Sequence, residues 1–251
     1  MEAKDRIIVA LDVDSIAKAK GLVKQLTPYV GPFKIGLEFI NTILASVIVP
    51  EKDEDAEVNL REIRELFQQL EGKIFWDGKF DDIPNTVGGA SASVAKMDVE
   101  MFNVHASAGI EAMMTAVANK GRSLVLAVTI LTSLDENNAP LIFGGPTKAK
   151  VLQLARDAKL AGCDGIICSP QELEMLAKQR ELRFLIKVTP GVRPLWAAVG
   201  DQKRVMTPSE AIKAGASCLV IGRPITQPPP EIGGPIEAAK RIAEEIRQAE
   251  E

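Results

Sequence analysis

The chain contains one stretch in which an apolar strand runs directly into charges of alternating sign: Ile74-Phe75-Trp76-Asp77-Gly78-Lys79-Phe80-Asp81-Asp82-Ile83-Pro84-Asn85-Thr86. Side chains two residues apart in a strand point to the same face, so Asp77 and Lys79 should emerge side by side at the end of the strand. Asp82 follows beyond the strand, and Pro84 suits the first turn of a helix. The stretch therefore predicts a strand-to-helix turn that carries three charges.

The rest of the chain repeats this strand-then-helix pattern almost from end to end. Eight short apolar runs are predicted as strands: Arg6–Leu11, Phe33–Leu37, Lys73–Asp77, Met101–Val104, Leu124–Val128, Gly165–Cys168, Phe184–Val188 and Cys218–Ile221. Segments with helical spacing lie between them. Strands that are continuous apolar runs are typical of a parallel sheet covered by helices. Eight such units predict an α/β fold, a (β/α)8 TIM barrel that forms a single domain over residues 1–251.

Some features of this fold stay open at the level of sequence. A doubly wound open sheet is the alternative fold, but no G-x-G-x-x-G motif follows the first strand. The charged stretch at residues 46–61 is predicted as an exposed insertion, not a binding site. Two long connections, Asn137–Pro146 after strand five and Thr189–Met206 after strand seven, leave the strand ends where barrel active sites lie. They are therefore candidate mobile lids.

Composition and charge argue against several classes of protein. The hydrophobic content of 46% and charged content of 25% are those of an ordinary soluble globular protein. A net charge of −4, with no basic stripe, argues against a nucleic-acid partner. The charged segment Met1–Arg6 predicts that no signal peptide is present, and no apolar run approaches the roughly 20 residues of a membrane span, so no membrane association is expected.

The three cysteines are Cys163, Cys168 and Cys218. They are odd in number, lack the spacing of zinc ligands and lie in apolar surroundings. We predict buried free thiols and, with them, a cytoplasmic location.

Charged residues at the strand ends are the first candidates for a site, because barrel enzymes carry out their chemistry at the carboxyl ends of the strands. Strand one ends at Asp12, strand two contains Lys34, and strand three carries Asp77 and Lys79. A lysine inside an apolar strand is costly unless its ammonium group is paired. We therefore predict that Asp12 and Asp77 pair with Lys34 in a buried network of alternating Lys and Asp.

Other kinds of catalytic centre are not indicated. His105, the only histidine, ends strand four and is predicted to be a structural histidine, hydrogen-bonded near the barrel mouth, and not a general base. No His, Cys and carboxylate set has metal-ligand spacing, so we predict no metal. No Ser-His-Asp arrangement or G-x-S-x-G motif is present.

The ends of strands seven and eight predict an anion site. Gly222 lets the backbone approach a ligand closely, and Arg223 supplies a forked donor after strand eight. Arg193 and Gln202, in the connection after strand seven, are placed to close over the same anion. Barrels often bind phosphate at these two loops. The alternative is that Arg193 and Arg223 are ordinary surface arginines.

Taken together, these residues resemble the orotidine 5′-phosphate decarboxylase family. The matching segments are Val9-Ala10-Leu11-Asp12, Phe33-Lys34-Ile35-Gly36, Asp77-x-Lys79-x-x-Asp82-Ile83-Pro84-Asn85-Thr86, Val188-Thr189-Pro190-Gly191-Val192-Arg193-Pro194, Asp201-Gln202-x-Arg204 and Ile221-Gly222-Arg223-Pro224-Ile225-Thr226. They run in order from strand one to strand eight, and D-x-K-x-x-D-I-P-N-T is highly specific. The resemblance implies loss of CO2 from orotidine 5′-monophosphate to give uridine 5′-monophosphate, the last step of pyrimidine synthesis, without a cofactor.

The resemblance also implies a role for each matching residue. The implied catalytic array is Lys34, Asp77, Lys79 and Asp82, in which Lys79 stabilises and protonates the carbanion at carbon 6. The implied substrate-binding residues are Asp12 and Lys34 at the ribose hydroxyls, Thr132 at the pyrimidine, and Arg193, Gln202, Gly222 and Arg223 at the phosphate. Thr86 and Asp82 are implied to come from the partner subunit of a homodimer.

The chain departs from the family pattern at a few positions. Gly78 stands where a bulkier apolar residue is usual and is expected to loosen the strand, and Asp81 stands where histidine is common. Two rival functions also remain. One is a magnesium-dependent sugar-phosphate decarboxylase or aldolase of the same barrel superfamily, and the other is a catalytically silent barrel that only binds nucleotides.

Overall fold

A computed structural model describes residues 1–50, 52, 54–197 and 206–250. Within these ranges, parallel strands close into an eight-stranded barrel in chain order, with β8 paired to β1. The strands are β1 (Ile7–Ala10), β2 (Phe33–Gly36), β3 (Ile74–Phe80), β4 (Met101–His105), β5 (Leu124–Val128), β6 (Gly165–Ile167), β7 (Ile186–Pro190) and β8 (Cys218–Ile221). The predicted (β/α)8 barrel is confirmed.

Helices follow the strands and cover the outside of the barrel. They are α1 (Ile16–Leu26), α2 (Leu37–Ile48), α3 (Asp55–Leu70), α4 (Pro84–Ala95), α5 (Ile110–Ala118), α6 (Ala139–Phe143), α7 (Thr147–Leu160), α8 (Leu173–Ala177), α9 (Pro208–Lys213), α10 (Arg223–Thr226) and α11 (Pro235–Glu250). Pro84 occupies the first turn of α4, as predicted. None of the helices in the described ranges is long and apolar enough to cross a membrane.

Alternation along each strand divides the apolar residues between two cores. In β1, Ile8 and Ala10 pack inside the barrel with Phe75 and Val188, whereas Ile7 and Val9 pack outward in the cluster that includes the helices. Every residue of β1 is buried. Burial on both faces explains why the strands of this sheet read as continuous apolar runs.

The prediction of an exposed insertion at residues 46–61 is correct for exposure, since none of the described residues there is buried, but much of the stretch is helical and not a loop. Ser46–Ile48 form the end of α2 and Asp55–Arg61 form the beginning of α3. Sequence reasoning missed α2, although Glu38, Asn41 and Thr42 fall at helical spacing and give it a polar face. Acidic residues Asp55 and Glu57 in the first turn of α3 favour a helix start, since they lie at the positive end of the helix dipole. Glu51 and Asp53 lie outside the described residues.

The three cysteines are free and buried, as predicted. Burial is the main cause that raises the pKa of each thiol, to about 12 for Cys163 and Cys168 and about 11 for Cys218. The thiols are therefore protonated and unreactive at neutral pH, because the thiolate is the nucleophile.

Candidate active site

A cavity of about 560 Å³ opens at the carboxyl ends of the strands. Asp12, Lys34, Asp77 and Lys79 line one side of it, and Thr132, Arg193, Gly222 and Arg223 also contribute to its wall. This placement is what a parallel barrel imposes, because the carboxyl ends of all eight strands meet at one rim. The structure therefore brings eight of the predicted site residues to one cavity.

Lys34 joins two carboxylates at this rim. Its Nζ lies 2.9 Å from Oδ1 of Asp12 and 3.3 Å from Oδ2 of Asp77. The predicted pairing of Lys34 with both aspartates is confirmed. Gly36 makes room for the contact, since a Cβ at that position would lie 2.5 Å from Nζ of Lys34. A side chain at residue 36 would therefore displace the ammonium group.

The charge on Lys34 is maintained by these neighbours. Burial by itself lowers the pKa of Lys34, but the negative charges of Asp77 and Asp12 and their hydrogen bonds outweigh it, so the pKa lies above the ordinary lysine value. An opposite charge at hydrogen-bond distance favours the charged form of a buried group. Lys34 is thus a fixed cation at neutral pH.

Lys79 completes a linear chain of charges with Asp77 at its centre. Nζ of Lys79 lies 2.7 Å from Oδ1 of Asp77, whose other oxygen faces Lys34. The prediction that Asp77 and Lys79 emerge side by side is confirmed. The strand does not end at Asp77 as predicted, however, but continues to Phe80 through an irregularity in its pairing with β4.

Asn103 is part of this arrangement, and sequence reasoning missed it. This fully buried residue of β4 donates from Nδ2 to Oδ1 of Asp77 at 2.6 Å, and its Oδ1 accepts the backbone N–H of Lys79 at 2.7 Å. An asparagine in a strand carries no charge and gives no motif. The available signal was a polar residue between the apolar residues Phe102 and Val104 of β4.

Gly78 lies between the two catalytic candidates on β3. A Cβ at this position would lie 2.9 Å from Nε1 of Trp76 and 3.0 Å from Cε1 of Phe80. The space that a bulkier residue 78 would occupy is therefore taken by its two aromatic neighbours on the strand. Trp76 and Phe80 both pack against the apolar core.

Another part of the cavity wall is built from the ends of β7 and β8. Gly222 lies against β1, since a Cβ there would be 3.5 Å from Cβ of Ala10. Arg223 begins α10 and is exposed, whereas Arg193 is buried and donates from its guanidinium to the carbonyl of Val192 at 3.0 Å. Two arginines beside a glycine-containing turn form a surface suited to an anion. Gln202 lies outside the described residues.

Comparison with known proteins agrees with this geometry. The sequence profile of the family described as "Orotidine 5'-phosphate decarboxylase / HUMPS family" matches residues 5–242. The chain belongs to this family. It is 41% identical to an orotidine 5'-phosphate decarboxylase from Moorella thermoacetica (98% of this chain, 94% of the relative) and 40% identical to one from Syntrophomonas wolfei (99% and 100%). The crystal structure of an orotidine 5'-phosphate decarboxylase from Lactobacillus acidophilus superposes with a TM-score of 0.74 at 31% identity, covering 96% of this chain and 99% of that one.

Two residues of the decarboxylase family motif lie apart from the cavity. Asp82 and Thr86 are exposed, and neither contributes to the cavity wall formed by the described residues. Asp82 accepts the backbone N–H of Ile83 at 2.7 Å, just before α4 begins. The structure therefore does not bring these two side chains to Lys34, Asp77 and Lys79 within one chain.

His105 ends β4, and burial is the main cause that lowers its pKa, so it is neutral at neutral pH. It is not among the described residues that line the cavity. The predicted hydrogen bond of its ring is not found among the described residues.

No group of three or more His, Cys, Asp or Glu side chains in the described ranges could hold a metal ion. Glu38, in the first turn of α2, lines the cavity without having been predicted.

Proposed function

We propose that this decarboxylase family member converts orotidine 5′-monophosphate to uridine 5′-monophosphate and CO2 as a carboxy-lyase of pyrimidine synthesis. The observation that carries the proposal is the chain Asp12–Lys34–Asp77–Lys79 in the wall of a cavity that two arginines, Arg193 and Arg223, also line. The full-length relatives from Moorella thermoacetica and Syntrophomonas wolfei, both named orotidine 5'-phosphate decarboxylase, support it.

The chemistry follows from the charges. The bond between carbon 6 and the carboxylate breaks, its electron pair stays on carbon 6, and CO2 departs. The ammonium of Lys79 stabilises the developing carbanion and then transfers a proton to it. A substrate carboxylate placed beside Lys79 also faces Asp77, and the repulsion between them disappears when neutral CO2 forms.

Binding is assigned to the remaining cavity residues. Asp12 and Lys34 hold the ribose hydroxyls, and Thr132 contacts the pyrimidine. Gly222, Arg223, Arg193 and Gln202 bind the 5′-phosphate. A phosphate remote from the reacting carbon supplies binding energy that closes the site and excludes water. The connections after β5 and β7 are the lids, and they carry Leu141 and Leu195, whose side chains are 83% and 92% exposed.

The active form is a homodimer in which Asp82 and Thr86 of one subunit reach the site of the other. Both residues are exposed in the single chain, next to Ile83, which is 66% exposed. Leu37, the first residue of α2 after the adjacent strand β2, is 50% exposed. Apolar side chains exposed at one rim are typical of an interface. We also place the protein in the cytoplasm, because three free thiols suit a reducing compartment.

The test is a spectrophotometric assay of orotidine 5′-monophosphate loss in the presence of a metal chelator. We expect turnover to persist with chelator, because Nζ of Lys34 occupies the position between Asp12 and Asp77 where a cation would bind. Activity that requires magnesium would instead indicate the sugar-phosphate class. Saturable binding of uridine 5′-monophosphate without turnover would indicate a silent nucleotide-binding barrel.

Lys79→Ala is the matched variant for this assay. It removes the proton donor but leaves both arginines, so turnover should be lost while binding of uridine 5′-monophosphate, measured by calorimetry, stays within a few-fold of the parent. Normal turnover in this variant would refute the role of Lys79.

A further inference from the structure

The side-chain amide of Asn103 makes one hydrogen bond through its nitrogen and one through its oxygen, to Asp77 and Lys79. Nδ2 donates to Oδ1 of Asp77 at 2.6 Å, and Oδ1 accepts the N–H of Lys79 at 2.7 Å. Only one orientation of the amide satisfies both partners, because the reverse would place two donors, or two acceptors, face to face. The residue is fully buried, so water does not compete for either bond.

The backbone of Lys79 is in a conformation that ordinary residues avoid. Its φ is +48°, in the left-handed region, which for a residue other than glycine costs about 1–2 kcal/mol. Such a conformation persists only where its surroundings hold it, and it is often found at functional sites. A specific contact at Lys79 is therefore required.

The pairing of β3 with β4 shows what that contact is. Trp76 pairs with Phe102 and Phe80 pairs with Val104, so β3 uses more residues than β4 between the same two rungs. Asn103 is the β4 residue that faces this bulge. In a regular parallel ladder, strand N–H groups bond to backbone carbonyls of the neighbouring strand. Here the N–H of Lys79 bonds to the side chain of Asn103.

The second bond of Asn103 constrains the carboxylate that holds the ammonium. Oδ1 of Asp77 accepts hydrogen bonds from both Nδ2 of Asn103 and Nζ of Lys79, while Oδ2 faces Nζ of Lys34. A neutral donor on the shared oxygen fixes the plane of the carboxylate without adding charge. The side chain of Asn103 thus restrains the Lys79 ammonium in two ways, through the backbone of Lys79 and through its ion-pair partner Asp77.

We propose that Asn103 is a positioning residue that aims the ammonium of Lys79 at the reacting carbon by holding the backbone of Lys79 and the carboxylate of Asp77 together. The proposal rests on the decarboxylase function proposed above and adds a residue to it. Asn103 does not touch the substrate. It acts through Lys79 and Asp77, and its contribution is geometric.

Asn103→Leu tests this proposal, because leucine has a similar size but neither donates nor accepts. A misplacement of about 1 Å at a reacting group can cost about 100-fold in rate. We therefore expect kcat to fall about 100-fold while KM and the affinity for uridine 5′-monophosphate change less than about 3-fold. A fall in nucleotide affinity as large as the fall in kcat, or an unchanged kcat, would overturn the proposal.

Two further variants separate positioning from general loss of stability. Asn103→Asp keeps an acceptor for Lys79 but replaces the donor with a carboxylate beside Asp77, so it should lose kcat as well. Ser123→Ala removes a comparable buried hydrogen bond, from Oγ of Ser123 to the carbonyl of Val99, away from the cavity. It should lower the melting temperature and leave kcat unchanged. A parallel loss of kcat in Ser123→Ala would assign the effect of Asn103 to stability.

A crystal structure of Asn103→Leu separates this proposal from the proposed function. We expect Lys79 to leave its positive φ and its Nζ to move away from the 2.7 Å contact with Asp77. An unchanged Lys79 would refute the positioning role even in a protein with no decarboxylase activity. Absence of turnover in the parent protein would refute the proposed function and leave the structural result to decide on Asn103.

Discussion

Lys34 in β2 and Lys187 in β7 are both buried within strands of one barrel, 9% and 5% exposed, yet their surroundings differ. Lys34 faces the cavity between Asp12 and Asp77. Lys187 faces outward, since its neighbour Val188 faces the barrel interior. Among the described residues, its Nζ donates to the backbone carbonyls of Leu182 and Leu185, at 3.4 and 3.2 Å.

The two environments act on the ammonium groups in opposite directions. For both lysines burial is the largest effect and lowers the pKa. At Lys34 the charges of Asp77 and Asp12 reverse it, whereas at Lys187 only the buried thiol of Cys168 opposes it, and the pKa stays low. The charged form of Lys34 at the barrel mouth is therefore stabilised by its surroundings, whereas the charged form of Lys187 in the outer layer is destabilised.

The largest difference between the two lysines is expected in catalysis. Lys34→Met should lower kcat/KM by about 100-fold or more, because it removes a fixed cation beside Asp77 and from the proposed ribose site. Lys187→Met, the matched substitution outside the cavity, should leave kcat/KM within about 2-fold. Steady-state kinetics on both variants, with circular dichroism to verify folding, checks this. Equal losses in the two variants would remove the functional distinction between the two sites.

A cation that is exposed instead of buried extends the comparison. Arg223 lines the cavity and is proposed to contact the phosphate. A charged hydrogen bond contributes about 1.5–3 kcal/mol, so Arg223→Ala should weaken binding of uridine 5′-monophosphate by about 10- to 100-fold. Binding of uridine, which lacks the phosphate, should change little. Calorimetric titration with both ligands is the measurement, and an equal loss for both would place the phosphate elsewhere.

The contrast between the two lysines also shows how far the sequence predicts the site. A lysine within Phe33-Lys34-Ile35-Gly36 demands a partner, so its pairing with Asp12 and Asp77 followed from the cost of burying a charge. Lys187 lies in a comparable apolar run, but its ammonium group donates hydrogen bonds to backbone carbonyls of the turn before β7. The positions of backbone carbonyls cannot be predicted from the chemistry of the side chains.

The fold was more predictable than the local backbone. Apolar runs at regular spacing are sufficient to predict a barrel, because most residues of the strands are buried on both faces. The bulge in β3 was not predictable, since it depends on the left-handed backbone of Lys79 and on a hydrogen bond from a residue 24 positions away, Asn103. Asp82 and Thr86 are exposed in the single chain, and the role proposed for them in a second subunit is not readable from the charge and apolar patterns of one chain.

The smallest predicted effect concerns stability against pH, and it is the most specific to the comparison. The pKa of Lys187 is lowered on folding from the ordinary value of 10.5, so below its folded-state pKa the folded protein carries an unfavourable charge. As pH rises through that pKa towards 10.5, the folded state releases this proton before the unfolded state does, and stability increases. The slope contributed by one such proton is at most about 1.4 kcal/mol per pH unit.

Denaturant unfolding of the parent, Lys187→Met and Lys34→Met between pH 8 and about pH 10 measures this effect. The parent should gain stability relative to Lys187→Met as pH rises. Relative to Lys34→Met it should show no such gain, because the pKa of Lys34 is raised and the stability it contributes is lost only above 10.5. The buried thiols have pKa values of about 11 to 12, so they stay protonated in all three folded proteins below pH 10, and their contribution cancels in the differences. If the curve for Lys187→Met runs parallel to the parent, Lys187 has no lowered pKa, and the two buried lysines differ only in position.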